Sequence, residues 1–248
     1  MITSYNLCGS CNQLLPPQSH YPIPDLPESA QTFYQFNQNL EFFPKTKLII
    51  AECKFCGLVQ LCATPVKYYR EVIRAGIYSE NIKLFRLNQF ASIKSEYLAR
   101  AESTALEIGA GRGEYALLIS QIFNTVVCTE YSSDAVQECR NAGLTAFQTH
   151  PELTSFHQDL EHRTFDFICC LNYLEHLPRP VATLKTILKA AHPDTIFLIE
   201  VPNSELIFRH GLLNEIIPDH LHYFTGNTLI KTLDAAGFQR FSVSKLRS

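Results

Sequence analysis

Ten residues constrain this chain more than any others: Leu106-Glu107-Ile108-Gly109-Ala110-Gly111-Arg112-Gly113-Glu114-Tyr115. An apolar strand carrying an acid runs into a glycine turn, and a helix-like run from Tyr115 to Phe123 follows. Glycines at such a bend let the backbone approach a ligand that any side chain would keep away. The spacing also selects the ligand. A dinucleotide fingerprint wants a third glycine at position 114, with the helix N-terminus taking a pyrophosphate. Position 114 is Glu, and a carboxylate repels phosphates. Glu107 and the Gly109-x-Gly111 turn suit a ligand without phosphate and with a positive charge. S-adenosylmethionine, with its sulfonium and amino-acid end, fits.

With 248 residues, 46% of them hydrophobic, the chain can bury a substantial core and hold one domain or two unequal ones. A net charge of −3 leaves no electrostatic footprint for nucleic acid or an anionic membrane. Met1 to Asn6 runs into a cysteine pair with neither a basic start nor an apolar stretch, so no signal peptide is expected. No segment approaches the length of a membrane span. The nine cysteines are an odd number, and Cys128, Cys169 and Cys170 sit in apolar runs as small hydrophobes. That usage suits a reducing cytoplasm, and a soluble cytoplasmic protein is expected.

Composition divides the chain into three: 1–62, 63–103 and 104–248. The first is rich in Pro, Gln, Asn and aromatics, and its prolines break any long helix. The second carries apolar residues near helical spacing, with Gly76 expected to split it into two helices. From Thr104 onward, strands are expected at 104–108, 126–130, 144–148, 165–171, 195–201 and 239–245, and helices at 114–123, 132–142, 178–191 and 226–236. Strands alternating with helices predict an α/β, doubly wound, Rossmann-like parallel sheet with right-handed crossovers. Ligands of such sheets lie beyond the carboxyl ends of the strands. Glu107, Glu130, Asn172 and Asn203 all fall there.

Cys8-x-x-Cys11 and Cys53-x-x-Cys56 form a paired knuckle pattern. Each places two thiolates on a tight turn, and two turns complete a tetrahedral zinc site. Four sulfurs leave no open position, so the Zn2+ is expected to be structural. A redox pair and unliganded thiols are the competing readings, but neither pair sits at a strand-to-helix junction, and two matched pairs fall in a region too broken by proline to build its own core. Glu130 ends the second expected strand of the sheet, where a doubly wound fold places an acid for ribose hydroxyls.

Leu106 to Tyr115, Glu130, Asn172-Tyr173-Leu174-Glu175-His176-Leu177-Pro178 and Ile199 to Asn203 together resemble class I S-adenosylmethionine-dependent methyltransferases. Cys53-x-x-Cys56-Gly57-Leu58-Val59-Gln60-Leu61, after an earlier Cys-x-x-Cys, resembles the zinc-containing sugar-nucleotide C-methyltransferases of deoxysugar biosynthesis. The resemblance implies that Glu107, Gly109 and Gly111 line the methionine end of the donor, and that Glu130 holds the ribose. It places Asn172 beside the sulfonium and counts Leu174 among the cofactor-binding residues. It finds no counterpart of that family's C-terminal domain before Ser248.

Methyl transfer to carbon needs a base to remove a proton beside a carbonyl. Pro218-Asp219-His220-Leu221-His222-Tyr223-Phe224 carries two imidazoles, a carboxylate and a phenol. If the segment is extended, alternation puts His220 and His222 on one face. In the resembled family a Glu-His pair occupies the equivalent loop with His as base; Asp219-His220 matches it, while that family's tyrosine would fall on Ile217. The catalytic candidates are therefore His220, Asp219 and Tyr223. Glu175-His176 reads as a helix-opening element, Tyr78-Ser79 as a lid or as a cap at Ser79, and Phe85, Phe90 and Tyr97 as core packing. Arg209-His210 is an isolated candidate for a diphosphate.

The expected activity is S-adenosylmethionine-dependent methylation of a small molecule, with a carbon of a nucleotide-linked ketosugar as the favoured acceptor. Two alternatives stand beside it: an O- or N-methyltransferase of another metabolite, and a non-catalytic zinc-knuckle binding protein on a methyltransferase scaffold. No nucleic-acid or membrane partner is expected.

Overall fold

The computed structural model describes residues 6–27, 45–71, 79–98 and 102–245. Two β-sheets organise it, each in its own compact unit. One unit comprises residues 1–69, 174–184 and 201–248; the other comprises 70–173 and 185–200. The sheet unit is thus continuous only from 70 to 173, and the cysteine unit recruits two distant stretches of chain.

The sheet unit carries five strands: β4 (Thr104–Ile108), β5 (Thr125–Glu130), β6 (Thr145–Gln148), β7 (Phe165–Leu171) and β8 (Ala191–Glu200). Their order is β6-β5-β4-β7-β8, and every neighbouring pair is parallel. This is the expected doubly wound, Rossmann-like sheet. Order reverses beside β4, so the crevice at its carboxyl end is the switch point. All seven residues of β7 are buried, as a central parallel strand covered on both faces requires. One packed layer joins Phe90, Phe123 and Phe167 to Leu118 and Ile119; the other joins Leu106, Ile108, Phe156 and Ile168.

The helices follow local chemistry. α1 (Glu80–Tyr97) starts where the Ser79 hydroxyl accepts the Ile82 N–H at 3.3 Å, so Ser79 is a cap. Tyr78 and Gly76 lie outside the described residues. Phe90 is buried, whereas Phe85 and Tyr97 are exposed. α2 (Glu114–Ile119) is shorter than expected. α3 (Ser133–Asn141) is capped by Ser132, and α5 (Pro180–Ile187) gives way to a single 3-10 turn. α7 (Gly226–Ala236) opens with a Thr225–Thr228 capping box and closes at Gly237 with φ of 100°. The helices α4 (Phe156–Asp159) and α6 (Ser204–Arg209) are too short to show a period in sequence.

The other unit holds an antiparallel sheet ordered β1-β2-β3-β9, made of β1 (His20–Pro27), β2 (Lys45–Glu52), β3 (Val59–Leu61) and β9 (His222–Tyr223). β9 comes from the far end of the chain and pairs Val59 with Tyr223 and Gln60 with His222. One expected strand is absent: residues 239–245 form no strand. Their alternating apolar residues Phe241 and Val243 are 37% and 45% exposed, so the pattern has no core to bury against and no neighbouring strand to satisfy its backbone. No helix among the described residues is long and apolar enough to cross a membrane.

Candidate functional site

At the carboxyl end of β4 the chain turns through Gly109 to Gly113. The N–H groups of Gly109 and Ala110 both donate to the Thr129 carbonyl, at 3.0 and 3.1 Å, which ties the turn to β5. Gly109 has φ of +67°, and a Cβ there would stand 2.4 Å from Cδ2 of Tyr173. Only glycine allows that conformation together with that ring contact. Glu107 is fully buried on β4. Glu130, at the end of β5, accepts the Gly111 N–H at 2.8 Å through Oε2 and the Tyr131 N–H at 2.7 Å through Oε1. The acid therefore braces the glycine turn against the end of β5 through both carboxylate oxygens. Glu107, Gly109, Gly111, Glu130 and Asn172 thus all lie in one unit, at or just past the carboxyl ends of β4, β5 and β7.

Asn172, just past β7, sits at φ of +47° with its N–H on the Glu200 carbonyl at 2.9 Å. Its Nδ2 lies 3.4 Å from Glu200 Oε1. Glu200 is held by Arg86 of α1 in a two-pronged ion pair at 2.7 and 2.5 Å, and the Arg86 guanidinium lies over the Tyr115 ring at 5.2 Å. Leu174 is fully buried in a 3-10 turn (Leu174–His176) that belongs to the other unit.

Sequence reasoning missed an aromatic cluster in the sheet unit. Tyr131 and His150 meet edge-on at 5.9 Å, and His150 meets Tyr173 at 5.8 Å. Arg70 lies over Tyr131 at 5.5 Å and pairs with Glu152 at 3.2 Å. The Glu152 N–H donates to His150 Nδ1 at 3.2 Å. Burial, assisted by the Arg70 charge, pushes the His150 imidazole down to about 3, so it is neutral. The signal was available: Tyr131, His150 and Tyr173 each stand within two residues of a strand's carboxyl end.

In the cysteine unit the two knuckles converge. Cys8 Sγ lies 3.4 Å from Cys56 Sγ, Cys11 Sγ lies 3.5 Å from Cys53 Sγ, and all four sulfurs fall within 4.8 Å of one another. Zn–S bonds of about 2.3 Å set a tetrahedral edge of roughly 3.8 Å, so the donor set fits a closed four-sulfur zinc site. Sharing a proton with Cys8 pushes the Cys56 thiol down to about 5. Backbone bonds shape each turn: Cys8 N–H to Gln13 O at 2.8 Å, and Gly57 N–H to Cys53 O at 2.8 Å. Gln60 brackets the first knuckle, accepting the Gly9 N–H at 2.9 Å and donating to Leu7 O at 3.0 Å. Lys231 of α7 donates to Cys56 O at 2.9 Å.

The same unit carries the loop at 218–224. Residues 218–219 form a turn, and extended pairing begins only at His222. His220 and His222 therefore diverge. His222 is buried against Gly9, where a Cβ would stand 2.2 Å from its Nε2. His220 packs edge-on to His176 at 4.9 Å and to Tyr223 at 6.5 Å. Burial, then the neighbouring His176, lowers its imidazole to about 4, with the Asp219 charge acting the other way. The Asp219 carbonyl accepts the His176 Nδ1–H at 2.8 Å. Burial holds the Tyr223 phenol protonated, and its hydroxyl donates to Ile217 O at 3.5 Å. Glu175 and His176, read from sequence as a helix-opening element, are both buried beside this loop. Arg209 and His210 close α6 in the same unit.

The family model described as a methyltransferase domain matches residues 80–243, well over half of the chain. The chain belongs to that family. BH2331 of Bacillus halodurans C-125 shares the fold at 15% identity, with 61% of this chain and 69% of that chain covered and a TM-score of 0.50. YcgJ of Bacillus subtilis aligns at 21% identity over 62% of this chain and 68% of its own, with a TM-score of 0.49. A SAM-dependent methyltransferase of Archaeoglobus fulgidus aligns at 21% identity over 62% and 69%, with a TM-score of 0.46. No curated protein matches the chain.

Proposed function

We propose that this protein transfers the methyl group of S-adenosylmethionine to a small molecule. The observation that carries the reading is the frame of Glu107, the Gly109–Gly113 turn and Glu130 at the switch point of a methyltransferase-family sheet. Glu130 would hold the ribose hydroxyls, Glu107 and the glycine turn the methionine end, and Tyr131 and His150 would offer ring faces to the adenine. S-adenosylmethionine supplies the electrophilic methyl; the protein's task is alignment and exclusion of water. The Cys8, Cys11, Cys53 and Cys56 set would hold a structural Zn2+. Nine cysteines without a disulfide suit a reducing compartment, and we place the protein in the cytoplasm.

The favoured acceptor is a carbon of a nucleotide-linked ketosugar. His220 would take the proton beside the carbonyl, Asp219 would orient it electrostatically, and the Tyr223 phenol would stay protonated within the same loop. This finer reading is supported by the grouping of His220, Asp219 and Tyr223 in one loop, with Asp219 and Tyr223 buried and His220 packed on Tyr223. The cofactor reading is tested by calorimetric titration with S-adenosylmethionine: the parent should bind at micromolar levels and Glu130→Ala at least tenfold more weakly. Absence of binding at millimolar donor would leave only the scaffold alternative. His220→Ala should keep donor binding and lose about 10²–10⁴-fold in turnover on a carbon acceptor. Unchanged turnover on that acceptor would mean that the base is elsewhere.

A further inference from the structure

The 3-10 turn Leu174–His176 and the loop at 218–224 together hold a second group of metal-binding side chains. Glu175, His176 and His220 offer one carboxylate oxygen and two imidazole nitrogens, all within 4.8 Å of one another. Glu175 and His176 are 1% and 7% exposed, so the group is no surface cluster. His176 Nε2 lies 3.7 Å from Glu175 Oε1. A first-row metal with bonds near 2.1 Å sets ligand separations of roughly 3.0–3.4 Å, so closure needs side-chain movements of about an ångström or less.

Three further features prepare the group. The His176 Nδ1–H donates to the Asp219 carbonyl, which leaves Nε2 as the nitrogen with a free lone pair. Ligating imidazoles in metalloproteins characteristically give their second nitrogen to a carbonyl in this way. The two chain segments are also tied at the backbone, Leu221 N–H donating to Glu175 O at 2.8 Å, so the three ligands come from one fastened frame. Both imidazoles are held neutral by burial, the form that binds metal.

We propose that Glu175, His176 and His220 bind a divalent first-row transition metal of the Zn2+ class, at a site separate from the four-cysteine knuckle. Two imidazoles and one carboxylate suit such a cation better than Mg2+ or Ca2+, which prefer oxygen throughout. Three protein ligands leave a position open, unlike the closed cysteine site. The binding claim does not depend on His220 being the base. The two are linked nonetheless, because metal and proton compete for the same His220 nitrogen.

The test uses the full chain, reduced, with its cysteine site first filled by Zn2+ and excess metal removed. Titration with Co2+ should then show a further equivalent bound, with the weak visible bands of a nitrogen and oxygen donor set. Glu175→Gln and His220→Gln should each weaken that binding by tenfold or more, with the zinc content of the cysteine site unchanged as the control for folding. The proposal is overturned if Co2+ binding is equally strong in both variants. It is equally overturned if the only new absorption is thiolate-to-cobalt charge transfer, meaning that Co2+ has entered the cysteines. Loaded parent protein should also lose turnover on a carbon acceptor. Tight Co2+ binding with full turnover would uphold the metal site and remove His220 as the base, so the two claims fail separately.

Discussion

Substituting Gly109 by alanine tests whether the turn is built around a ring. The new Cβ would stand 2.4 and 2.6 Å from Cδ2 and Cε2 of Tyr173, against a normal carbon–carbon contact of about 3.5 Å or more. Overpacking of that kind costs about 1–3 kcal/mol. The backbone adds to it, because φ of +67° costs an alanine about 1–2 kcal/mol, partly offset by about 0.4–1 kcal/mol from a stiffer unfolded chain. Gly109→Ala should therefore destabilise the sheet unit by about 2–4 kcal/mol. In a Tyr173→Ala background the ring is gone and only the backbone cost of about 1 kcal/mol should remain. Urea unfolding of the four proteins of this cycle, followed by circular dichroism, gives a coupling of about 1–3 kcal/mol. If Gly109→Ala costs the same in both backgrounds, within about 0.5 kcal/mol, the ring does not pack on Gly109 and the argument for glycine there fails.

Two other outcomes follow from buried charge in the sheet unit. The His150 imidazole binds a proton near 6.5 when unfolded but only at about 3 when folded. Between those values the unfolded chain holds more protons, so stability drops as pH falls, by about 1.4 kcal/mol per unit from this residue. His150→Asn should flatten the stability–pH profile between pH 6 and 4 by that amount, measured by denaturant melts at each pH; an unchanged slope would show that His150 is not buried neutral. Arg86→Ala leaves the Glu200 carboxylate, only 17% exposed, without its ion-pair partner and should cost about 3–5 kcal/mol. Glu200→Gln combined with Arg86→Met should recover much of that loss, and failure to do so would mean that the pair matters through packing alone.

Much of the sheet was legible along the chain. Four expected strands match to within a residue, and the helix at 226–236 matches at both ends. Their apolar runs are long, and their ends carry glycine, serine or threonine signals that act locally. The acid–glycine turn was legible for the same reason: Glu107, Gly109 and Gly111 fall within one short stretch of chain, and Glu130 lies one crossover away. Legibility failed where the outcome depended on a neighbour. Residues 239–245 alternate like a strand, but a strand also needs an edge to pair with, and that requirement lies outside its own sequence.

The residues alone determined which groups are present: four thiols in two knuckles, an acid–glycine turn, and a loop rich in imidazole. They also determined the local turns, because Cys-x-x-Cys and Gly-x-Gly close over a few bonds. Tertiary structure decided which groups meet. It brought Cys8 to Cys56 across 48 positions, aimed His222 at Gly9 rather than alongside His220, and set Glu175 and His176 against a histidine more than forty residues away. Periodicity reports only on neighbours in the chain, whereas ligand sets and neutralised imidazoles arise from burial between distant segments, where desolvation and fixed hydrogen bonds set the chemistry.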